Sequence, residues 1–263
     1  MKFSIVIPVY NAEKTIADLL NSLVEQTLSS YEIIVVDDGS KDKTPSIIKD
    51  FQKEHQRKVK IISQQNKGPA TARNKGIAKA KGKYVAFTDA DCVVPEDWLE
   101  QIEKIFVKYP EVAGVGGVLE PSKNNWIANI ERQKNKRLYG MKDKLIIAGR
   151  NCPIGGTNNI CFKKDVLDEV EGFDENFSKA AGEDFDLKLR ICDKGHKLAF
   201  APIKVTHNET YDFNYLLRHA GKRGIPFKTS NRHLFWKVIL LLPVIIPILL
   251  YKIIVYRFKS NKK

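Results

Sequence analysis

Several carboxylates of this 263-residue chain lie where they could bind a metal ion or accept a proton. The stretch from Lys83 to Asp91 predicts a short buried β-strand that ends in the carboxylates Asp89 and Asp91. Residues two apart on extended backbone share one face, so both side chains are expected on the same side. Hard oxygen ligands suit Mg²⁺ or Mn²⁺. Asp-x-Asp alone is weakly specific, because it recurs at Asp184–Asp186 and is also typical of a solvated turn or helix face.

The elements that must position these carboxylates alternate along the first 90 residues. Strands are predicted at Phe3–Pro8, Ile33–Val36, Val59–Ile62 and before Asp89, with helices that begin near Asn11, Thr44 and Pro69. This alternation predicts a parallel sheet with right-handed crossovers. The second strand ends at Asp37 and Asp38. Because ligands bind at the carboxyl ends of such strands, these aspartates and Asp89 are expected at one edge.

The net charge of +13 is concentrated in the C-terminal tail. Asp212 is the last acidic residue, and residues 213–263 contain eleven Lys or Arg, which leaves 33 basic and 31 acidic residues before them. The basic residues bracket an apolar block, Val238–Tyr251, so a membrane is expected and nucleic acid is not. The four cysteines have no Cys-x-x-Cys spacing and are expected to be reduced thiols. Met1 leads directly into the first predicted strand, so no signal peptide is expected.

Four motifs in register carry a resemblance to a known family. They are Ile7–Asn11 (IPVYN), Val36–Ser40 (VDDGS), Asn66–Asn74 (NKGPATARN) and Thr88–Asp91 (TDAD). In this order they resemble family 2 glycosyltransferases, over roughly residues 1–210. The resemblance implies the GT-A fold, an α/β architecture with a mostly parallel sheet flanked by helices, and a UDP- or GDP-sugar donor.

The resemblance also implies roles for residues on the donor side. Pro8, Tyr10 and Asp38 would line the nucleoside pocket with Asp38 facing the base, Arg73 would approach the nucleotide, Asp89 would face the ribose, and Asp91 would hold the divalent cation. These residue types suit the roles, because carboxylates accept hydrogen bonds from base N–H groups or hydroxyls and arginine pairs with phosphate. The alternative for Arg73 is an ordinary surface residue of a helix.

The second half adds candidate residues for the sugar and the acceptor. Another strand is predicted at Val112–Leu119, and residues 122–150 are expected to form a helix and loop on the acceptor side. Gly155–Lys164 and Glu171–Glu175 again resemble the family, which implies that Asn159 approaches the donor sugar or diphosphate. The alternative for Asn159 is a residue in a tight turn.

A helix that opens at Gly182–Leu187 is expected to carry Phe185, Leu189 and Cys192 on one side. The resemblance implies that Asp184 is the general base, and Glu183 would orient the acceptor. The alternative is that these acidic residues only complement the helix dipole.

His207 follows a further predicted strand, where related enzymes often supply another metal ligand. Imidazole suits Mn²⁺ better than Mg²⁺. The alternative for His207 is an ordinary surface or core histidine.

The tail is expected to attach the protein to the cytoplasmic face of the cell membrane. Residues 211–233 predict a basic amphipathic linker helix, and residues 234–263 predict a hydrophobic membrane-attachment segment with a basic end. The fourteen uncharged residues Val238–Tyr251 fall short of the ~20 that cross a bilayer. Three alternatives stay open: a span continued past Lys252, a re-entrant hairpin bent at Pro243 and Pro247, and a core helix or oligomer contact.

The resemblance implies an inverting glycosyltransferase, which is expected to be non-processive and to work in cell-envelope polysaccharide biosynthesis. Its acceptor would be a hydroxyl group of a lipid-linked or cell-envelope saccharide. One alternative is a polyprenyl-phosphate sugar synthase, whose phosphate acceptor needs no general base. Another is a catalytically silent nucleotide-sugar-binding protein.

Overall fold

The computed structural model describes residues 1–138, 144–177, 182–209 and 211–212. The predicted linker helix from residue 213 onward and the hydrophobic segment 234–263 lie outside these ranges. Within the described part of the chain, no helix is long and apolar enough to cross a membrane.

The described residues form one nine-stranded sheet in the order β3-β2-β1-β4-β8-β6-β9-β5, with β7 pairing against β9. The strands are β1 (Phe3–Val9), β2 (Tyr31–Asp37), β3 (Val59–Ser63), β4 (Tyr84–Phe87), β5 (Cys92–Val93), β6 (Val112–Pro121), β7 (Ile146–Ala148), β8 (Ile160–Lys163) and β9 (Lys197–His207).

The first four strands are mutually parallel, as the alternating pattern predicts. Beyond them the sheet is mixed, because β8 runs antiparallel to both β4 and β6. Strands β5 and β7 are also antiparallel to β9, while β6 and β9 are parallel. Because β8 reverses once between β4 and β6, the carboxyl ends of β1, β2, β4, β6 and β9 all lie at the same edge.

Helices cover both faces of the sheet. They are α1 (Ile16–Val24), α2 (Thr44–Glu54), α3 (Pro69–Lys79), α4 (Trp98–Lys108), α5 (Trp126–Leu138), α6 (Lys164–Glu169) and α7 (Glu183–Asp193). The alternation along β1 shows the layering, since Ile5 and Ile7 pack with α1 and α4 while Val6 packs with α3, α6 and α7. Strands covered on both faces are continuously apolar, as β2 is from Ile33 to Val36.

The predicted face of α7 is wrong. Glu183, Leu187, Lys188 and Ile191 form its buried side, whereas Phe185 is 58% exposed. The sequence predicted one buried stripe formed by Phe185, Leu189 and Cys192. In the structure the buried positions instead recur every four residues from Glu183, at Leu187 and Ile191. An acidic residue therefore lies on the inward side of this helix.

Gly76 allows α3 to approach β1 closely. A Cβ placed on Gly76 would lie 2.2 Å from Cγ1 of Val6, a distance that packed carbon atoms do not reach. Glycine in the middle of a helix otherwise costs stability relative to alanine. The close packing of α3 on the sheet therefore explains glycine at this position.

We expect Gly76→Ala to lower the melting temperature, although alanine favours helix by about 1 kcal/mol, because overpacking costs about 1–3 kcal/mol. Thermal denaturation of Gly76→Ala, Val6→Ala and the double variant measures this. The double variant should be more stable than the sum of the single effects predicts, because Val6→Ala removes the clashing methyl group. Strictly additive effects would contradict the close-contact explanation.

Candidate active site

The loops after β1 and β2 are joined near the residues predicted to bind a nucleoside. Pro8 is half-buried and Tyr10 is 48% exposed. The sequence predicted that the first helix begins near Asn11. In the structure Thr15 directly precedes α1, so Asn11 does not cap it. Asn11 instead adopts a φ of 50°, its N–H donates to Oγ of Ser40 at 2.9 Å, and its Oδ1 accepts from the N–H of Lys41 at 2.8 Å. These bonds fix the loop that carries Tyr10 beside the end of β2.

Asp38 is buried and organises the loop that leads into α3. Its Oδ1 accepts from Nε2 of Gln64 at 2.7 Å and from the N–H of Lys67 at 2.8 Å. Its Oδ2 accepts from the N–H of Gly68 at 2.9 Å, and Gly68 has a φ of 92° that favours glycine. Asp38 thus lies at the expected edge of the sheet, and its contact with a base stays a prediction.

Asp89 and Asp91 lie in a turn and not on extended backbone. Strand β4 ends at Phe87, and the N–H of Cys92 donates to the carbonyl of Asp89 at 3.0 Å. The chain then pairs as β5 with the end of β9, which places Cys92 opposite His207. The expectation that the strand continues into the carboxylates is therefore wrong, while their position at the strand's carboxyl end is correct.

This turn brings Asp91 to His207, at the end of β9. Nε2 of His207 is 3.2 Å from Oδ2 of Asp91, and Nδ1 lies 2.8 Å from the hydroxyl oxygen of Tyr211. Burial disfavours the charged carboxylate of Asp91, but the hydrogen bond and charge of His207 outweigh it and lower the pKa of Asp91. Burial likewise disfavours charged His207, but Asp91, with Glu209, raises the pKa of His207.

The Asp91–His207 pair has the geometry of two ligands of one metal ion. Ligands at 90° on an octahedral ion with bonds of about 2.1 Å are about 3 Å apart. Tyr211 engages Nδ1 of His207 and Asp91 engages Nε2, so a metal at Nε2 would replace the contact between Nε2 and Asp91. Across the described residues, no group of three or more His, Cys, Asp and Glu side chains is arranged to hold a metal ion. A divalent cation at Asp91 and His207 therefore stays a prediction.

The sequence pattern did not predict the contact between Tyr211 and His207. Tyr211 lies four residues after His207, in a segment without apolar periodicity, so only the fold shows that the chain turns back to it.

Arg73 links Asp89 to α7. Its Nη2 is 3.1 Å from Oδ1 of Asp89, and its Nη1 is 2.9 Å from Oε1 of Glu183. Arg73 is 3% exposed and Glu183 is 4% exposed. Burial raises the pKa of Asp89, an effect that the charge of Arg73 opposes and that of Asp91 reinforces.

These contacts concern two of the predicted site residues. Arg73 was predicted to approach the nucleotide and Glu183 to orient the acceptor; in the structure the two pair with each other inside the protein, and their contacts with a substrate stay predictions. A guanidinium and a carboxylate this deeply buried require partners: Nη1 of Arg73 pairs with Glu183 and Nη2 with Asp89, while Nε of Arg73 is buried without a hydrogen-bond partner among the described residues.

Asp184 follows Glu183 in the first turn of α7 and is half-buried. Its Oδ1 accepts from the N–H of Phe185 at 2.8 Å. A Cβ placed on Gly156 would be 2.9 Å from Oδ2 of Asp184 and 3.7 Å from Oδ1 of Asn158. Gly156 therefore leaves room for the Asp184 carboxylate, a role that the Gly155-Gly156 pair in the sequence did not reveal.

Asn159 lies inside the protein and not with these residues. Its Nδ2 donates to the carbonyls of Val118 and Ile203 at 3.0 and 2.9 Å, and its Oδ1 accepts from Nε1 of Trp98 at 3.0 Å. The residue is 3% exposed. These contacts give Asn159 a structural role, and its expected contact with a donor sugar or diphosphate stays a prediction.

Comparisons with known proteins agree with this fold. Residues 4–170 match the family described as "Glycosyl transferase family 2". The chain is 32% identical over 223 residues to the glycosyltransferase AglE of Haloferax volcanii, covering 84% of this chain and 71% of that protein. It is 40% identical over 203 residues to the uncharacterized glycosyltransferase EpsJ of Bacillus subtilis, covering 73% of this chain and 59% of that protein.

Solved structures show the same fold. The S. aureus TarS structure matches with a TM-score of 0.65 at 21% identity, over 84% of this chain and 39% of that one. A mannosyltransferase from Pyrobaculum calidifontis, solved with GDP-Man and Mn²⁺, matches with a TM-score of 0.65 at 22% identity, over 84% of this chain and 61% of that one. The fold of this chain is therefore GT-A, and the chain belongs to glycosyl transferase family 2 and is a glycosyltransferase.

Proposed function

We propose that this enzyme transfers a sugar, with inversion, from a UDP- or GDP-sugar to a hydroxyl group of an acceptor. The observation that carries the proposal is the convergence of Asp38, Asp89, Asp91 and His207 at one sheet edge, with Asp184 on the adjoining helix. TarS solved with UDP-GlcNAc and the mannosyltransferase solved with GDP-Man support a nucleotide-sugar donor.

The donor would lie across the ends of β1, β2 and β4. Tyr10 is exposed, so its ring is available to a base, and buried Asp38 directly follows the end of β2. Asp89 is close enough to the edge to accept hydrogen bonds from ribose hydroxyls. Asp91 and His207 would hold a divalent cation, Mn²⁺ suiting the mixed carboxylate and imidazole ligands. Such a cation, when bound, neutralises charge on the departing diphosphate.

Asp184 is the group placed to accept the acceptor's proton. The acceptor oxygen forms a bond to the anomeric carbon, the bond from that carbon to the diphosphate oxygen breaks, and the hydroxyl proton passes to the Asp184 carboxylate. The nucleoside diphosphate leaves with the bonding electrons. A positioned base contributes about 10²–10⁴-fold to such a step. Attack from the face opposite the leaving group inverts the anomeric centre.

The acceptor is proposed to be a lipid-linked or cell-envelope saccharide at the cytoplasmic face of the membrane. The support comes from the sequence of residues 234–263, where an apolar block is flanked by basic residues. Basic residues near anionic lipid contribute roughly 1 kcal/mol each to membrane binding.

We expect Mn²⁺ to raise the melting temperature of the wild-type protein but not of Asp91→Asn. A proton on His207 competes with the metal, and the pKa of His207 is raised, so the Mn²⁺ effect should weaken as pH falls through that pKa. In the presence of a chelator, the Asp91–His207 ion pair is itself expected to stabilise the fold. On the alkaline side this stabilisation is complete below about pH 6.5, the pKa of histidine in the unfolded chain, and is lost as pH rises through the higher pKa of His207 in the folded protein. On the acid side the stabilisation is lost as pH falls through the lowered pKa of Asp91.

His196→Gln is the matched control, because Nε2 of His196 makes a 2.8 Å contact with Glu169 away from the proposed site. It should keep the full Mn²⁺ response. An equal Mn²⁺ response in Asp91→Asn would remove Asp91 from the metal site.

We expect Asp184→Asn to lower kcat by at least ~10² while donor affinity stays within a few-fold, because a base acts on the chemical step. Steady-state transfer from a panel of UDP- and GDP-sugars, with calorimetric donor binding, measures both. Asp186→Asn is the control: Asp186 lies in the same turn but pairs with Arg190 at 2.8 Å, and this variant should retain its kcat. Full activity of Asp184→Asn would favour an acceptor that needs no base, such as a polyprenyl phosphate.

A further inference from the structure

Arg73 has the contacts of a connector between two parts of the active site. It lies in the second turn of α3, and its two terminal nitrogens bind carboxylates from different elements. Asp89 belongs to the turn after β4, and Glu183 is the first residue of α7. These three residues are far apart in sequence, so this contact exists only in the folded chain.

Each carboxylate is close in sequence to a residue of the proposed mechanism. Asp89 is two residues from Asp91, and the turn between them is closed by the hydrogen bond from Cys92 to the Asp89 carbonyl. Glu183 is bonded through its peptide to Asp184. Displacing either carboxylate by one ångström would therefore move the donor-side turn or the base.

The chemistry of the connection requires arginine. The guanidinium is a planar fork that can donate to two carboxylates at once in fixed directions, whereas a lysine ammonium is a point charge on a flexible stem. The ring of Phe173 lies 5.6 Å from the guanidinium carbon and supports this cation as a further neighbour.

The same contacts argue against Arg73 as a phosphate ligand. Its side chain is 4% exposed, and both terminal nitrogens are already engaged by carboxylates. A diphosphate would have to displace Asp89 or Glu183 and leave that carboxylate buried without its partner, which is costly.

We propose that Arg73 is a positioning residue that fixes the Asp184 base relative to the donor-side turn, through Glu183 and Asp89. This inference rests on the proposed function, since it takes Asp184 as the base. Arg73 contacts no reacting atom; it holds the Asp184 base at a fixed position relative to the turn that contains Asp89 and Asp91. Misplacement of a catalytic group by about 1 Å can cost 10²-fold in rate.

The test is Arg73→Lys, which keeps the charge but cannot hold both carboxylates in one geometry. We expect kcat to fall by about 10- to 100-fold while the KM for the nucleotide sugar stays within about threefold. Arg190→Lys is the matched control on α7, because Arg190 also contacts a carboxylate, Asp186, and a backbone carbonyl, that of Val170. The Arg190→Lys variant should keep the wild-type kcat even if both variants lower the melting temperature by similar amounts.

A double-mutant cycle separates positioning through Glu183 from a general loss of stability. If Arg73 acts through Glu183, then Glu183→Gln should also lower kcat. The fold-loss in kcat of the double variant Arg73→Lys/Glu183→Gln should then be smaller than the product of the two single fold-losses. Unchanged kcat in Arg73→Lys would overturn the inference. A loss confined to donor KM would also overturn it and make Arg73 a nucleotide contact.

The two proposals fail in distinguishable ways. If wild-type protein transfers no sugar from any donor, or Asp184→Asn is fully active, the proposed function fails. If wild-type protein is active and Asp184→Asn inactive, but Arg73→Lys matches the Arg190→Lys control, only the positioning role fails.

Discussion

The side chain of Asn159 donates two hydrogen bonds, to β6 and β9, and accepts one from α4, so it joins these three elements at the start of β8. This is the place where the parallel half of the sheet meets the mixed half. Since β8 runs opposite to its neighbours β4 and β6, its amino end lies among their carboxyl ends. A buried amide that satisfies all three partners fixes the spacing there, because leaving any of these polar groups unpaired would cost about 1–3 kcal/mol. The positions of Asp89 and His207 on either side depend on that spacing.

The site is built largely from carboxylates whose charges the fold compensates in different ways. Asp38 receives two backbone N–H groups and an amide, Asp89 and Glu183 share a guanidinium, and Asp91 pairs with an imidazole. An unpaired carboxylate in such surroundings would be neutralised or destabilising. Compensation by protein groups therefore allows several acids to gather at one edge.

Membership of glycosyl transferase family 2 and the geometry of the site explain different features of this enzyme. The family accounts for the order of motifs along the first 170 residues. The geometry distinguishes residues that would meet the donor from residues that hold others in place, which a motif cannot do. The chain spans 71% of AglE, 59% of EpsJ and 39% of the solved TarS chain, so the identity of the acceptor belongs to the proposal and not to the similarity.

The sequence alone determined the alternating strands and helices through Phe87, because apolar periodicity and turn residues act locally. It also determined that acidic residues follow β2 and β4 and that a histidine ends β9. Only the tertiary structure decided the reversed direction of β8, since strand direction depends on which neighbours pair and not on local pattern. It likewise decided that Arg73 turns inward to Glu183 and that Asn159 enters the core. A polar side chain has the same sequence signature whether it meets a ligand or a buried partner, and only packing distinguishes the two.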